Sequence, residues 1–455
     1  MSTQKLFGTD GIRGRANSFP MTTDIVLKVG QALGHLLMQA RTKEKEVVKV
    51  LIGKDTRLSG YMIEMALASG LNSMGVHVQL VGPLPTPGIG FLARNMRAHA
   101  GIIISASHNA FHDNGIKIFG SDGFKISGDF EKQIEDLVAI GDFEDLLPVS
   151  TEIGRSKRID DSAGRYIVYA KDSFPIDSNL DGMRIALDTA NGAAYKVAPQ
   201  IFSELGAEVI QFGSEPNGFN INEDCGALHP ESLAKKVQKY RADVGICLDG
   251  DADRVIMVDE LGNIVNGDFI LAICGMHLKE KGLLKDNTVV CTTMSNFGIL
   301  KYFKENGINV VQTNVGDKYV VEEMRKGDYA LGGEQSGHII FLDSSTTGDG
   351  VIAALQVLSV MRDKGLTLSK LISDLHPTPQ ILKNLKVNSK PPLEDIPNFS
   401  RELGKVESEL DGEGRVMVRY SGTESIVRVL VEGPSENQIE EYADRLGKVL
   451  LKELG

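Results

Sequence analysis

Apolar, largely β-branched runs recur along the chain and stop at small or polar residues: VKVLIGKDTR (48–57), MRIALDTANG (183–192) and NTVVCTTMSN (287–296). Each is followed by a phrase of one grammar, a helix-like tail, a Gly, a short apolar strand and another Gly: LNSMGVHVQLVG (71–82), FSELGAEVIQFG (202–213) and FKENGINVVQTNVG (303–316). Gly75, Gly206 and Gly307 stand where a helix ends, since glycine takes the left-handed backbone without a Cβ penalty. Strand, helix and strand repeated three times predict parallel sheets covered by helices on both faces.

Each unit then continues into one further strand that ends in a polar loop: IIISASHNAFHDNG (102–115), VGICLDGDADR (244–254) and YALGGEQSGH (329–338). In open α/β sheets ligands bind beyond the carboxyl ends of the strands, so these three loops are the natural place for chemistry, facing a common cleft. After residue 375 the texture changes. HPTPQ and NSKPPLEDIPN disfavour continuous helix and suit a linker and loop. GRVMVRYSGTESIVRVLVEG (414–433) reads as two strands around a polar turn, and SENQIEEYADRLGKVLLKEL as an amphipathic closing helix with Ser435 near its N-cap. The organisation expected is 1–155, 156–258 and 259–375 as three similar domains and 376–455 as a smaller α+β domain.

At 455 residues the chain is too long for one core, in keeping with several domains. A net charge of −12 spread along the chain gives no electrostatic support to nucleic-acid binding, while small anions need only local positive potential. No apolar run is long enough to span a bilayer and MSTQKLFGTDGIRG lacks a signal-peptide core, so a cytoplasmic location is expected. Cys225, Cys247, Cys274 and Cys291 form no CxxC pair and read as core residues.

In DGDADR, Asp249, Asp251 and Asp253 alternate, and an extended segment would place them on one face. Crowded carboxylates repel unless a cation joins them, and an oxygen-only ligand set suits Mg²⁺; a solvated acidic turn is the plain alternative, but the buried approach VGICL argues against it. In the first loop Ser105, Ser107, His108 and Asn109 precede Gly115 and Lys117, with no G-x-S-x-G elbow to mark a hydrolase. Placed opposite three Asp residues, a Ser carrying phosphate would supply an anionic metal ligand. The third loop offers a carboxylate, an amide and a hydroxyl between glycines, groups that match the vicinal hydroxyls of a sugar. In RYSGTES, Arg419 precedes a Ser-Gly-Thr turn and Arg428 lies on the next strand, a pattern suited to a phosphate.

Taken together, LFGTDGIRG, SASHN with DNGIK, DGDADR, GGEQSGH and RYSGTES resemble, in order and over almost the whole chain, the α-D-phosphohexomutase superfamily. FGTDGIRG and Gln335 resemble its glucosamine branch rather than its mannose branch. The resemblance implies three similar α/β domains with mixed, largely parallel sheets plus a smaller C-terminal α+β domain around a central cleft. It implies a phosphoserine at Ser107, Mg²⁺ held by that group with Asp249, Asp251 and Asp253, sugar contacts from Glu334 and Ser336, and a phosphate held by Arg419, Ser421, Gly422, Thr423 and Arg428.

The implied reaction interconverts glucosamine 6-phosphate and glucosamine 1-phosphate through a bisphosphate, with a sugar 1,6-bisphosphate as activator. Arg13, Arg254 and Lys117 would stabilise the transferring group, with Lys117 also the candidate general base, His338 behind it and His108 as a hydrogen-bonding partner. The partner implied is a small-molecule sugar phosphate, with no nucleic acid and no membrane, and a homodimer is the candidate assembly. Mannose- or glucose-phosphate mutase activity, and a non-catalytic sugar-phosphate sensor, are the competing readings. Ala110, Tyr420 and Ser425 stand where the superfamily usually or often has Pro, which frees the backbone of those loops.

Overall fold

The computed structural model describes residues 5–42, 46–421 and 425–455. Its contacts divide the chain into two compact units, one running to Met294 and resuming over Ile308–Ser373, the other comprising Ser295–Gly307 and Asp374–Gly455.

Three sheets build the first unit, and they share one plan. In the first, Lys49–Lys54 has parallel neighbours on both sides, His77–Pro83 and Ala100–Ile104, and Asp113–Gly120 returns antiparallel beside Ala100–Ile104. The second repeats this with Arg184–Asp188, Glu208–Phe212, Val244–Leu248 and the antiparallel Val255–Asp259. In the third the same places are taken by Thr288–Thr292, Asn309–Thr313, Leu331–Gly333 and Ile339–Phe341. Gly75, Gly206 and Gly307 all have positive φ, as the repeated phrase predicts. Each polar loop joins the third strand of a sheet to its antiparallel fourth. A parallel strand that must reverse direction at the sheet's end turns there, which delivers the loop's side chains beyond the carboxyl end.

Helices cover both faces of the first sheet. Val50, Ile52, Ile102 and Ile104 share a core with Val29 and Leu33 of helix Thr23–Gln39 and Leu67 and Leu71 of helix Ser59–Ser73. On the alternate face Gly53 and Gly101 lie against Ile89 of helix Thr86–Asn95, so closely that a Cβ on Gly53 would stand 2.3 Å from its Cδ1. Across the unit, Tyr166 of helix Ser162–Asp172 is wholly buried and donates its hydroxyl to both carboxylate oxygens of Asp349 at 3.0 Å. Asp349 in turn caps helix Gly350–Lys364, accepting the backbone N–H groups of Val351 and Ile352. All four cysteines are buried free thiols.

The second unit is a three-stranded antiparallel sheet in the order Gln380–Lys386, Ile426–Glu432, Arg415–Tyr420. Val427, Val429 and Val431 pack on Phe399, Val406 and Leu410 of helix Pro397–Leu410 and on Leu446 and Leu450 of helix Glu436–Leu454. The proline-rich segments run outside strand and helix over 376–379 and, apart from one short helical turn, over 388–396, as read, and two elements border them. Pro397 occupies the first turn of a helix, where its missing N–H costs nothing, and Gln380–Lys386 alternates exposed and half-buried residues as a strand with one covered side. Ser435 takes the N-cap position of the last helix, although its side chain makes no capping hydrogen bond. Helix Phe297–Glu305 belongs to this unit: Asn296 exchanges two hydrogen bonds with the backbone of Thr378, and Phe297 donates its N–H to the buried Glu432. Among the described residues, no helix is long and apolar enough to cross a membrane.

Candidate active site

Ser107 follows the buried strand Ala100–Ile104 and is itself almost wholly buried. It lies inside a tight turn closed by the N–H of Asn109 donating to the carbonyl of Ala106 at 3.0 Å, and its φ of 50° puts a non-glycine residue in the left-handed region. Such a conformation costs about 1–2 kcal/mol and persists only where neighbours enforce it. The Ser107 hydroxyl donates to Asp249 Oδ2 at 2.7 Å, and His108 Nδ1 lies 3.3 Å from Ser107 Oγ. Ser105, the other hydroxyl of the loop, accepts the Ser107 N–H at 2.9 Å and is therefore occupied in supporting the turn.

Asp249, Asp251 and Asp253 converge from the second sheet, with one carboxylate oxygen of each within 4.8 Å of the others and all three buried. They do not do so by strand alternation. The strand ends at Leu248 and the chain turns through Ala252 at φ 56°, so it is a turn that gathers the carboxylates. The glycine between them is required by close approach: a Cβ on Gly250 would stand 2.6 Å from the carbonyl oxygen of Ser107.

The first sheet reaches in with cations. Lys117 Nζ, on strand Asp113–Gly120, lies 3.3 Å from Asp251 Oδ2, 3.2 Å from Asp253 Oδ2 and 3.2 Å from Asp10 Oδ2. Thr86 also donates its hydroxyl to Asp251 Oδ2 at 2.7 Å. Asp251 Oδ1 and Asp253 Oδ1 are left buried with no hydrogen bond. Unsatisfied carboxylate oxygens in such a place are costly, and a divalent cation with oxygen ligands satisfies them, so the residues fit a metal of that kind.

Electrostatics point the same way. Burial and the neighbouring carboxylates of Asp253 and Asp251 push Asp249 well above the usual carboxylate range, a penalty that a cation removes. Burial also works against Asp253, but Lys117, His338 and Arg254 outweigh it and hold that carboxyl well below the usual range. Lys117 would be discharged by burial alone, yet Asp10, Asp251 and Asp253 raise it well above its ordinary value. With these three carboxylates around it, Lys117 stands in the site as a buried cation. Burial, with Arg254 and Arg13 close by, pushes His108 down to about 4, which leaves its imidazole neutral at pH 7.

Arg254 donates its backbone N–H to Asp249 Oδ1 at 3.2 Å, and Arg13 pairs with Asp10. His338 accepts the N–H of Gly348 on Nε2 at 3.1 Å and faces Asp253 Oδ1 with Nδ1 at 3.7 Å. In the third loop Glu334 is buried and accepts the N–H of Gly316 at 3.0 Å, while Ser336 is exposed, its hydroxyl 3.4 Å from Glu334 Oε2. The three loops thus meet at one place in the first unit.

Several members of this constellation carry no motif. Thr86 begins a helix, and Lys125 bridges Asp10 to Asp317, which stands 3.7 Å from His338. Only Asp10 had a signal, its place in FGTDGIRG.

In the second unit Arg419 and Arg428 are directly paired across adjacent antiparallel strands. Burial and the facing Arg428 lower Arg419 from its ordinary value, which makes the pair a place for an anion. Ser421 is buried, and its carbonyl accepts from Lys390 Nζ at 2.7 Å, a third cation that the proline-rich sequence around it concealed. Tyr420 donates its hydroxyl to the carbonyl of Pro391 at 2.7 Å, a tether that a proline at that position cannot supply. Gly422 and Thr423 lie outside the described residues.

Four family profiles cover the chain in order: phosphoglucomutase/phosphomannomutase α/β/α domain I over residues 4–145, domain II over 165–262, domain III over 266–378 and the C-terminal domain over 382–449. The chain is 64% identical over 451 residues to a phosphoglucosamine mutase of Bdellovibrio bacteriovorus, and 52% identical over 452 residues to one of Geotalea daltonii, covering 99% of each chain in both comparisons. Among solved structures, a phosphoglucomutase/phosphomannomutase family protein of Burkholderia thailandensis superposes with a TM-score of 0.80 at 22% identity, covering 99% of this chain and 97% of the other. The N-acetylphosphoglucosamine mutase of Aspergillus fumigatus, solved with GlcNAc-6P and magnesium, gives 0.67 at 17%, covering 99% and 96%.

Proposed function

This chain belongs to the phosphoglucomutase/phosphomannomutase family, and we propose that within it the enzyme interconverts glucosamine 6-phosphate and glucosamine 1-phosphate through a phosphorylated Ser107. One observation carries the chemistry: the Ser107 hydroxyl donates to Asp249 at 2.7 Å, beside a buried triad of carboxylates suited to a divalent cation. The full-length likeness to two phosphoglucosamine mutases supports the choice of amino sugar over glucose or mannose phosphates.

In the first half-reaction the bond between Ser107 Oγ and phosphorus breaks as a hydroxyl oxygen of the sugar monophosphate bonds to that phosphorus, giving a sugar 1,6-bisphosphate. Ser107 regains a proton and the sugar hydroxyl gives one up. The sugar then turns around, and the second half-reaction returns the other phosphoryl group to Ser107. Such transfers pass through a loose transition state in which positioning and charge neutralisation matter more than a strong base.

Lys117, Arg13 and Arg254 are the fixed cations of this reading, and His108 is a neutral hydrogen-bonding partner of Ser107. His338 steadies Asp253 from behind. Asp249, Asp251 and Asp253, with the serine's phosphate, would hold Mg²⁺, which when bound neutralises charge on the transferring group. Glu334 and Ser336 would contact the sugar hydroxyls, and Arg419, Ser421, Gly422, Thr423 and Arg428 would grip the phosphate that is not reacting. A trace of sugar 1,6-bisphosphate would serve as activator by restoring phosphate to any enzyme that has lost it.

The product is of the kind consumed in making nucleotide-linked amino sugars for the cell envelope, a cytoplasmic task, and a homodimer is the assembly proposed. The test is a coupled assay comparing turnover on glucosamine, glucose and mannose phosphates, with the intact mass of the enzyme before and after phosphatase treatment. This reading requires the highest kcat/KM on the glucosamine substrate and the loss of one phosphate mass.

A further inference from the structure

The left-handed backbone of Ser107 is disfavoured for any residue but glycine, so something must hold it. Two side chains converge on its carbonyl oxygen from different sheets. Arg57, wholly buried in the loop after strand Lys49–Lys54 and paired with Asp55, donates through Nη2 to the carbonyl of Ser107 at 3.1 Å and to that of Asn109 at 2.5 Å. Asn222, from the second sheet's side, donates through Nδ2 to the same two carbonyls at 2.9 and 3.0 Å.

Asn222 is itself fixed in the left-handed region at φ 59°, its N–H donating to the carbonyl of Ala190 at 2.9 Å. Gly250 closes the remaining side of the Ser107 carbonyl, where no Cβ fits. Each donor spans both ends of the turn that carries the hydroxyl.

We propose that Arg57 and Asn222 are positioning residues, which clamp the Ser107 and Asn109 carbonyls so that the Ser107 oxygen is presented to the carboxylate triad in the one orientation from which phosphoryl transfer proceeds. Their donors are taken up by the Ser107 and Asn109 carbonyls, so their loss lowers the rate of transfer and leaves substrate affinity in place. The inference rests on the phosphoserine reading above. Asn222 has a further consequence, since it ties the serine loop to the sheet that supplies the three carboxylates. The place of the Ser107 oxygen relative to those carboxylates is thereby set by the same contact.

The test uses the full-length enzyme, dephosphorylated and mixed with glucose 1,6-bisphosphate, with Ser107 phosphorylation followed by intact mass in rapidly quenched samples. Asn222→Gly tolerates the positive φ and deletes the donor, whereas Asn222→Asp keeps the shape and φ but turns an acceptor toward two carbonyl oxygens. The clamp predicts phosphorylation slowed by about 10-fold in Asn222→Gly and more in Asn222→Asp, with KM for the sugar monophosphate within about two-fold of wild type. Simple space-filling predicts the reverse order, Asn222→Asp being closer to wild type, and that order overturns the proposal. Wild-type rates in both variants also overturn it. Arg57→Lys keeps the charge but has no second nitrogen to pair with Asp55 while the first donates to both carbonyls, and it should slow the same step. Should wild-type enzyme itself gain no phosphate at Ser107, it is the phosphoserine reading that fails rather than the clamp.

Discussion

Lys117 and Asp253 come from different sheets, yet the ammonium of the first lies 3.2 Å from a carboxylate oxygen of the second, and both are almost wholly buried. A buried cation therefore already shares the triad's charge before any metal is considered, and it uses the Oδ2 oxygens of Asp251 and Asp253 while their Oδ1 oxygens make no hydrogen bond. Removing one partner of a buried pair is far more costly than never having built it. Lys117→Met should lower stability by about 3–5 kcal/mol. It should cut kcat/KM by about 100-fold or more. Added Mg²⁺ should restore part of the urea midpoint, because a cation that binds only the folded state stabilises it. Activity close to wild type would show that Lys117 is only a structural counter-ion.

Asp251→Asn keeps the shape of a side chain that accepts the Thr86 hydroxyl but removes one negative charge from the metal's place. The expected outcome is a Mg²⁺ activation curve shifted to concentrations about ten-fold higher or more, with the fold intact by circular dichroism. An unchanged curve would mean that the three carboxylates are no metal site.

Arg419 and Arg428 stand opposite each other on adjacent strands, and an anion between the two like charges would be held by both. Arg419→Ala should raise KM for the monophosphate by about ten-fold, the worth of one charge-assisted contact. It should also release free bisphosphate during single turnovers, so that added bisphosphate partly restores the rate. Normal affinity with no released intermediate would remove this strand pair from the account.

Away from the site, burial pushes Asp349 up to about 6 from its ordinary 3.8. Between those values the folded chain holds a proton that the unfolded chain has released, so this residue's contribution is fullest below about pH 4 and is lost as pH rises through 6. The loss amounts to at most about 3 kcal/mol. Asp349→Asn retains the helix cap and can still accept from Tyr166. Its urea midpoint relative to wild type should therefore improve from pH 4 to about pH 6 and level off above it. A constant difference across that range would contradict the assignment.

The repeated strands and the four loop motifs were legible because each is local: β-branched runs, glycines with positive φ, and residues clustered at strand ends. What stayed hidden depends on tertiary contact. Nothing in the residues around Lys125, Asn222 or Lys390 says that they meet Asp317, Ser107 or Ser421, since those partners lie far away in sequence. Helix Pro397–Leu410 was masked by prolines that read as breakers but stand at its start, and the turn through Ala252 was masked by an alternation of Asp that looks like a strand. The three carboxylates around Lys117 likewise come from two distant stretches of the sequence.

The central claim is that Ser107 carries the phosphoryl group. Enzyme labelled with radioactive phosphate, purified free of ligand and mixed once with excess glucosamine 6-phosphate, should pass its label to glucosamine 1,6-bisphosphate and then to product, leaving Ser107 with unlabelled phosphate. Ser107→Ala should take up no label and lose nearly all turnover. Ser105→Ala, which deletes the acceptor for the Ser107 N–H, should keep labelling and lose about ten-fold or less in rate. Label that stays on the protein while product forms, or Ser107→Ala turnover equal to that of Ser105→Ala, would contradict the account at its root.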